Sequence, residues 1–189
     1  MAAEAPSSPT TTPVRTVVLF SGNVLRPSKS RALASRIGER LAAAVGNVNL
    51  TPLDLCDAGR ALGAAYARSE FSAQAEHVVS SLENADALVV VTPIHNGSYP
   101  GLFKHLIDFI DRDALAGKPV LLGASGGGQR HAMMIGHELV PLFSFFAAQI
   151  SAYPVFEPDR ALETAPDEID QMTYRIDRAV RQFALMLGP

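Results

Sequence analysis

The stretch that decides the fold is ALVVVTPIHNGSYPG, residues 87–101. It opens with five apolar residues, which indicate a buried strand, and it bends at Asn96-Gly97. A helical pattern with an apolar face follows over residues 100–110, with Pro100 in the first turn, where proline is favoured. Residues 92–101 are therefore predicted to lie at the carboxyl end of a strand, where open α/β sheets bind ligands.

Strand-like runs alternate with helical patterns on both sides of this stretch, which is typical of βαβ units and a parallel sheet. The predicted strands are 14–20, 48–53, 87–92, 119–124 and a short fifth at 155–156. The predicted helices are 28–45, 72–84, 100–110, 131–150 and 167–187, and residues 55–70 are expected to be irregular. We predict an α/β fold: a flavodoxin-like, doubly wound, five-stranded parallel sheet of order 2-1-3-4-5 in a three-layer αβα arrangement.

The composition fits one domain of an ordinary globular protein. The chain has 189 residues, 48% hydrophobic and 19% charged, with a net charge of -3. This charge gives no support for binding to nucleic acid or an anionic membrane, and the single Cys56 excludes a disulfide framework. Residues 1–13 are expected to be a disordered tail rather than a signal peptide, residues 14–189 the domain, and the location cytoplasmic.

The loop after the first strand, SGNVLRPSKS (21–30), has the features of a phosphate site. Its serine hydroxyls and the first-turn amides of the next helix converge on one volume, and Arg26 and Lys29 add positive charge. A capped helix beside a solvated basic loop would have the same residues. On local evidence alone both interpretations stay open.

Two later loops are expected at the same edge of the sheet. Loop 92–101 offers the rings of His95 and Tyr99, and loop 124–131 contains three successive glycines. Such glycines fit a backbone that lies against a ligand, although a flexible loop would also explain them. Together the three loops resemble a flavin mononucleotide (FMN) site, with phosphate on the first loop and the isoalloxazine ring between the other two.

Other nucleotide and hydrolase motifs are excluded. No G-x-G-x-x-G follows the first strand, and no phosphate-binding G-x-x-x-x-G-K-[ST] occurs. Residues 123–127 match the G-x-S-x-G elbow of hydrolases, but no acidic residue lies between Ser125 and His137 to complete a triad in the required order.

The pattern over residues 131–150 is apolar nearly all round, so both sides of this helix are expected to be covered, one of them by another subunit. Pro141 inside it removes a helical hydrogen bond to His137 and crowds that carbonyl. We predict a kink or a π-bulge at this point. The alternative is a packing kink with His137 as a hydrogen-bonded core residue.

Three segments carry a family resemblance: SGNVLRPSKS, TPIHNGSYPGLFKHLIDFID and GGGQRHAMMIGHELVPLFSFFAAQ. They resemble the NAD(P)H-dependent FMN reductases, most closely the methanesulfonate-utilisation type, from about Val14 to Val180. In related alkanesulfonate reductases an inserted aromatic residue forms a π-helix at a tetramer interface, and His137 stands at the corresponding place. The resemblance implies phosphate ligands at Ser21, Arg26, Ser28 and Ser30. It implies an isoalloxazine site formed by Pro93, Ile94, His95, Asn96, Gly97, Ser98, Tyr99, Ser125, Gly126, Gly127 and Gly128.

The resemblance implies an enzyme that reduces FMN with NADPH or NADH and supplies it to a monooxygenase, in organosulfur (sulfonate) metabolism. Because hydride passes between two stacked cofactor rings, no catalytic side chain and no metal ligand is named. A homo-dimer or homo-tetramer is expected. The alternatives are a reductase of quinones, azo dyes or metal ions with tightly bound FMN, and a flavodoxin-like electron carrier. Arg112 or Arg130 could meet the 2′-phosphate of NADPH, and each could equally be a solvated surface charge.

Overall fold

The computed structural model of the protein describes residues 14–159 and 166–188, with residues 166–169 by backbone alone. Its core is a parallel sheet of order β2-β1-β3-β4-β5, in which β6 also pairs with β4. The strands are β1 (Arg15–Ser21), β2 (Val48–Asp54), β3 (Ala87–Pro93), β4 (Pro119–Gly126), β5 (Gln149–Ile150) and β6 (Val155–Pro158). The predicted doubly wound fold and its strand order are confirmed.

The fifth position of the sheet is divided between two strands, so the prediction of five strands is wrong in number. β5 pairs with the start of β4, at Pro119 and Val120, and β6 pairs with its end, from Gly123 to Gly126. Pairing continues to Ser151, whose amide donates to the carbonyl of Val120 over 2.8 Å. The chain leaves the edge at 152–154, where Pro154 has no amide hydrogen to donate to a ladder.

Helices cover both faces of the sheet, as predicted for three layers. The helices are α1 (Lys29–Val45), α2 (Ala73–Asn84), α3 (Gly101–Ile107), α4 (Val140–Phe145) and α5 (Pro166–Leu187). Val17 and Leu19 of β1 pack with α1 and α5, whereas Val18 and Phe20 pack with α2, α3 and α4. Ser28 and Ser72 cap α1 and α2 by accepting hydrogen bonds from amides three residues on.

Residues 131–150 do not form one helix, which corrects the prediction. A 3₁₀ turn (Gln129–Ala132) leads into a π-helix (Ile135–Leu139) and then α4, which ends at Phe145. The amide of Val140 donates to the carbonyl of Ile135, five residues back, so the predicted π irregularity is confirmed. The helix stops before Ala147, which has a φ of 54°, and the chain continues into β5.

His137 is exposed, so the alternative that placed it in the core is wrong. The prediction for α3 was three residues too long, because Asp108–Ile110 follow it as turns. Segment 55–70 contains two 3₁₀ turns, Arg60–Ala64 and Arg68–Glu70. Along α5 the described members of the predicted stripe are buried: Met172, Ile176, Val180 and Phe183.

The predicted tail, residues 1–13, lies outside the described residues, as does the side chain of Ile169. Across the part of the chain that the structure describes, no helix has the length and apolarity needed to cross a membrane.

Candidate functional site

The loops that follow β1, β3 and β4 begin side by side. The amide of Gly22 donates to the carbonyl of Val91 over 2.8 Å, which joins the first loop to β3. Pro93 is in register with Ser125, and the amide of Ile94 donates to the carbonyl of Ser125 over 2.9 Å. The predicted convergence at one edge of the sheet is therefore present.

Hydroxyl groups in the first loop form a connected chain. The Oγ of Ser21 donates to Oδ1 of Asn23 over 2.6 Å and lies 3.3 Å from Oγ of Ser30. Ser30 lies 2.9 Å from the Oγ of Ser28, which in turn accepts from the amide of Arg31 at the start of α1. The three predicted serines are thus together beside a helix N-terminus, where first-turn amides lack helical acceptors.

Arg26, the fourth predicted phosphate residue, belongs to an ion cluster. Its Nε and Nη2 donate to the two carboxylate oxygens of Asp54, each over 2.8 Å. Nη2 also donates to Oδ1 of Asp57 over 2.6 Å. The cluster includes Arg31, whose Nη1 donates to Asp54 over 2.7 Å. These contacts fix the guanidinium at the edge of the first loop.

The charge of Asp54 is strongly stabilised. Burial, the largest influence, would raise the pKa of this fully buried carboxyl, but hydrogen bonds from Arg26, Asn23 and Arg31 outweigh it and lower the pKa to about 2. The hydrogen bonds from Arg26 to Asp54, and then to Asp57, raise the pKa of the guanidinium. Asp54 and Arg26 are therefore both ionised at neutral pH.

The second loop makes a two-residue hairpin at the sequence that predicted a turn. His95 and Ser98 exchange backbone hydrogen bonds of 2.8 and 3.1 Å. Asn96 and Gly97 between them have φ values of 52° and 89°, the left-handed region that Asn-Gly adopts readily in such turns. The turn exposes His95 and leaves Tyr99 half-buried, with its ring centroid 5.4 Å from that of Phe103.

The third loop approaches the second closely. A Cβ placed on Gly126 would lie 3.2 Å from the Cβ of Ile94, so glycine permits the contact. Ser125 is buried, whereas a Cβ on Gly128 would meet nothing within 4 Å. The described protein atoms therefore leave the backbone uncovered on the side where a side chain at position 128 would project.

The polar groups around these loops fit a flavin. The amides of Asn96, Gly97, Gly127 and Gly128 donate to no protein acceptor within residues 14–159 and 166–188. In the same ranges Nδ1 of His131 is buried without a hydrogen-bond partner. The pyrimidine edge of an isoalloxazine ring carries several hydrogen-bond acceptors, which such amides match. The residues present therefore suit FMN.

The π-helix contacts the second loop through Glu138. The Oγ of Ser98 donates to Oε2 of Glu138 over 3.3 Å. Burial, and then the charge of Glu138, raise the pKa of Tyr99. Glu138 was not predicted from the sequence, because the π turn changes which residues of 131–150 face the loop.

Asp54, Asp57, Arg31 and Asn23 were missed as well. The signal for the two aspartates was available, since the predicted order 2-1-3 places the end of β2 beside the first loop. These carboxylates were not predicted, because only the loops after strands 1, 3 and 4 were expected to form the site.

Comparison with known proteins supports the same conclusion as the geometry. The model of the NADPH-dependent FMN reductase family matches residues 15–163. The NADH-dependent FMN reductase SfnF of Pseudomonas fluorescens is 38% identical, over 91% of this chain and 91% of its own length. An FMN reductase (NADPH) of Pseudomonas aeruginosa is 37% identical, over 91% of this chain and 92% of its own.

A solved structure agrees with this assignment. The oxidoreductase from Corynebacterium diphtheriae is 30% identical and superposes with a TM-score of 0.84, over 92% of this chain and 97% of its own. The matches in sequence and in fold both extend over most of the chain, and the residues matched by the family model, 15–163, include the three loops of the site. The chain therefore belongs to the NADPH-dependent FMN reductase family.

Proposed function

We propose that this protein reduces FMN with NADH or NADPH and releases the reduced flavin to a partner monooxygenase, in organosulfur (sulfonate) metabolism. The observation that carries the proposal is the meeting of three loops at one edge of the sheet, with hydroxyls on the first and unpaired amides on the other two. Bound FMN supplies the hydride-accepting chemistry. The protein supplies binding, orientation and polarity.

The first loop binds the phosphate in this proposal. Ser28, Ser30 and the first-turn amides of α1 offer neutral donors, Arg26 offers a cation, and Ser21 supports them through Asn23. These groups hold one end of the ligand, so that its ring system extends towards the second and third loops.

The ring lies between 93–99 and 125–128 in this proposal. The unpaired amides of these loops stabilise the negative charge that develops on the ring when it is reduced. The hairpin fixes the amides of Asn96 and Gly97 before a ligand binds, which favours orientation as the main catalytic contribution.

Either nicotinamide donor is compatible with the site. One relative is named for NADH and another, equally similar, for NADPH. Arg130 is exposed next to the third loop, and Arg112 lies over the ring of Phe145 with its Cζ 5.4 Å from the centroid. They remain the candidates for the 2′-phosphate, and replacing either by alanine is expected to raise the KM for NADPH but not for NADH.

The proposed assembly is a homo-dimer or homo-tetramer in the cytoplasm. Met133 and Phe145 are each 63% exposed, and His137 and Pro141 are exposed between them. An apolar stripe of this kind along the π-helix and α4 supports a covered face. Sedimentation of the purified protein tests the assembly.

The test of the activity is oxidation of NADH and NADPH with and without added FMN. A flavin-releasing reductase purifies nearly colourless and oxidises nicotinamide only when flavin is added. A yellow protein that reduces quinones, azo dyes or metal ions without added flavin would show the tightly bound alternative. A stable one-electron reduced form without nicotinamide oxidation would show an electron carrier.

A further inference from the structure

Asp54 is a fully buried carboxylate at the carboxyl end of β2, next to the first loop. It accepts hydrogen bonds from the side chains of Arg26 (2.8 and 2.8 Å), Arg31 (2.7 Å) and Asn23 (3.2 Å). It also accepts from the amide of Cys56 over 2.9 Å. A buried charge with this many donors is held in one position.

The contact with Arg26 is made by one edge of the guanidinium. Nε and Nη2 face the carboxylate of Asp54, whereas Nη1 makes no hydrogen bond to any residue in 14–159 or 166–188. The side chain is 44% exposed although its inner edge is held by a buried group. The bidentate contact therefore sets the plane of the guanidinium and leaves a donor unused.

Asp54 also supports the rest of the loop through Asn23. The amide group of Asn23 donates to Asp54 and to the carbonyl of Leu25, while its Oδ1 accepts from Ser21. One carboxylate thus connects the arginine, the loop backbone and the first member of the serine chain.

The net charge of the cluster around Asp54 does not explain how the first loop would bind a phosphate. Arg26 and Arg31 are balanced by Asp54 and Asp57, so the cluster brings no excess positive charge to the loop. A phosphate that binds here depends on the direction of the free N–H groups rather than on an unscreened cation.

We propose that Asp54 is a positioning residue, which holds Arg26 so that its free Nη1 meets the flavin phosphate and keeps the first loop in its binding conformation. The inference rests on the proposed function. It concerns only the phosphate end of the ligand, and therefore distinguishes FMN from riboflavin, which has the same ring system without the phosphate.

The experiment compares FMN with riboflavin as substrates of the full chain. One variant is Arg26→Lys, which keeps the positive charge but loses the guanidinium edge that donates two hydrogen bonds to Asp54. The other is Asp54→Asn, which keeps the shape of the side chain but loses its negative charge. Arg68→Lys is the matched control, because Arg68 also bridges two carboxylates but contacts none of the three loops. KM, kcat and thermal stability are measured for each.

We expect Arg26→Lys and Asp54→Asn to raise the KM for FMN roughly 10- to 100-fold, the range for losing a charge-assisted hydrogen bond. The KM for riboflavin should change less than about twofold, and kcat at saturating FMN should be kept, because hydride transfer takes place at the ring. In the Arg26→Lys background, Asp54→Asn should add little, since both act through one contact. Arg68→Lys should leave the ratio of the two KM values unchanged.

An unchanged ratio in Arg26→Lys would overturn the inference, and this variant decides the matter even if Asp54→Asn does not fold. An equal loss of both flavins in Asp54→Asn would also overturn it, because a general structural role acts on both. A wild-type protein that binds FMN but shows no preference over riboflavin contradicts the inference alone. A wild-type protein that binds neither flavin contradicts the proposed function instead.

Discussion

Arg68 and Arg26 each bridge two carboxylates, and they differ in which of their donors remain free. Arg68 contacts Glu76 and Glu83 with its Nε, Nη1 and Nη2, and Nη1 also lies 3.4 Å from the carbonyl of Phe109. Arg26 contacts Asp54 and Asp57 with two nitrogens, and within the described ranges its third makes no hydrogen bond. The saturated arginine stabilises the fold, whereas the unsaturated one remains available to a ligand.

The surroundings of the carboxylates explain this difference. Glu76 and Glu83 lie on α2, and the amide of Asp111 donates to Glu83 over 2.8 Å, so the Arg68 cluster ties α2 to the turn after α3. Asp54 is buried at the end of β2 and joins elements of the proposed site. The same ion-pair chemistry thus supports packing in one region and loop geometry in the other.

The largest effect is expected from removing the buried carboxylate. Asp54→Ala should lower the free energy of unfolding by about 2–4 kcal/mol, because several buried donors lose their acceptor. Glu83→Ala should cost only about 1–2 kcal/mol, since its side chain is 13% exposed and so less buried than that of Asp54. Urea unfolding measures both, and equal losses would remove the distinction between the clusters.

The next effect concerns acidification of the Asp54 cluster. The pKa of Asp54 is lowered from 3.8 to about 2, so its ionisation stabilises the fold above pH 3.8 and this contribution disappears as the pH falls towards 2. The loss amounts to at most about 2.5 kcal/mol. Urea unfolding at several pH values in this window should show a smaller acid loss for Asp54→Asn than for wild type. A parallel loss in both would contradict the assignment.

The two arginines should then show opposite phenotypes. Arg68→Ala should lower the free energy of unfolding by about 1–2 kcal/mol without changing the KM for FMN, because it leaves Glu83 partly buried and unpaired. Arg26→Ala should raise that KM and cost less than about 0.5 kcal/mol, since Asp54 keeps Arg31, Asn23 and two backbone amides. Unfolding and steady-state kinetics on the same preparations check this, and matching phenotypes would contradict it.

The smallest effect concerns salt. The pKa of Glu76 is lowered to about 2 by hydrogen bonds from Arg68 and then Ser80, but its side chain is 44% exposed, so solvent and ions screen it. Glu76→Gln should cost roughly 0.5 kcal/mol at low salt and nearly nothing at about 1 M salt. The effect of Asp54→Asn should persist at both salt concentrations. A salt-dependent loss in Asp54→Asn would indicate that its cluster is solvated.

Most of the fold was predictable, and part of the site was too. The strand order and the three layers followed from the alternation of strand-like and helical patterns of apolar residues. The irregular helix followed from Pro141. The divided fifth strand did not, since β5 has only two residues, too few for a periodic signal. The end of α3 was also missed, because the apolar face continues to Ile110 after the helical bonding has stopped at Ile107.

The sequence by itself determined the features that depend on neighbouring residues: the turn at Asn96-Gly97, the capped start of α1 and the π-helix before Pro141. Dihedral preference and a missing amide hydrogen act within a few residues, so they can be read locally. Only the tertiary structure decided the contacts of Arg26 with Asp54, 28 residues apart, and of Ser98 with Glu138, 40 residues apart. The first contact depends on which strand ends lie side by side. The second depends on the π turn, which decides which residues of 131–150 face the second loop.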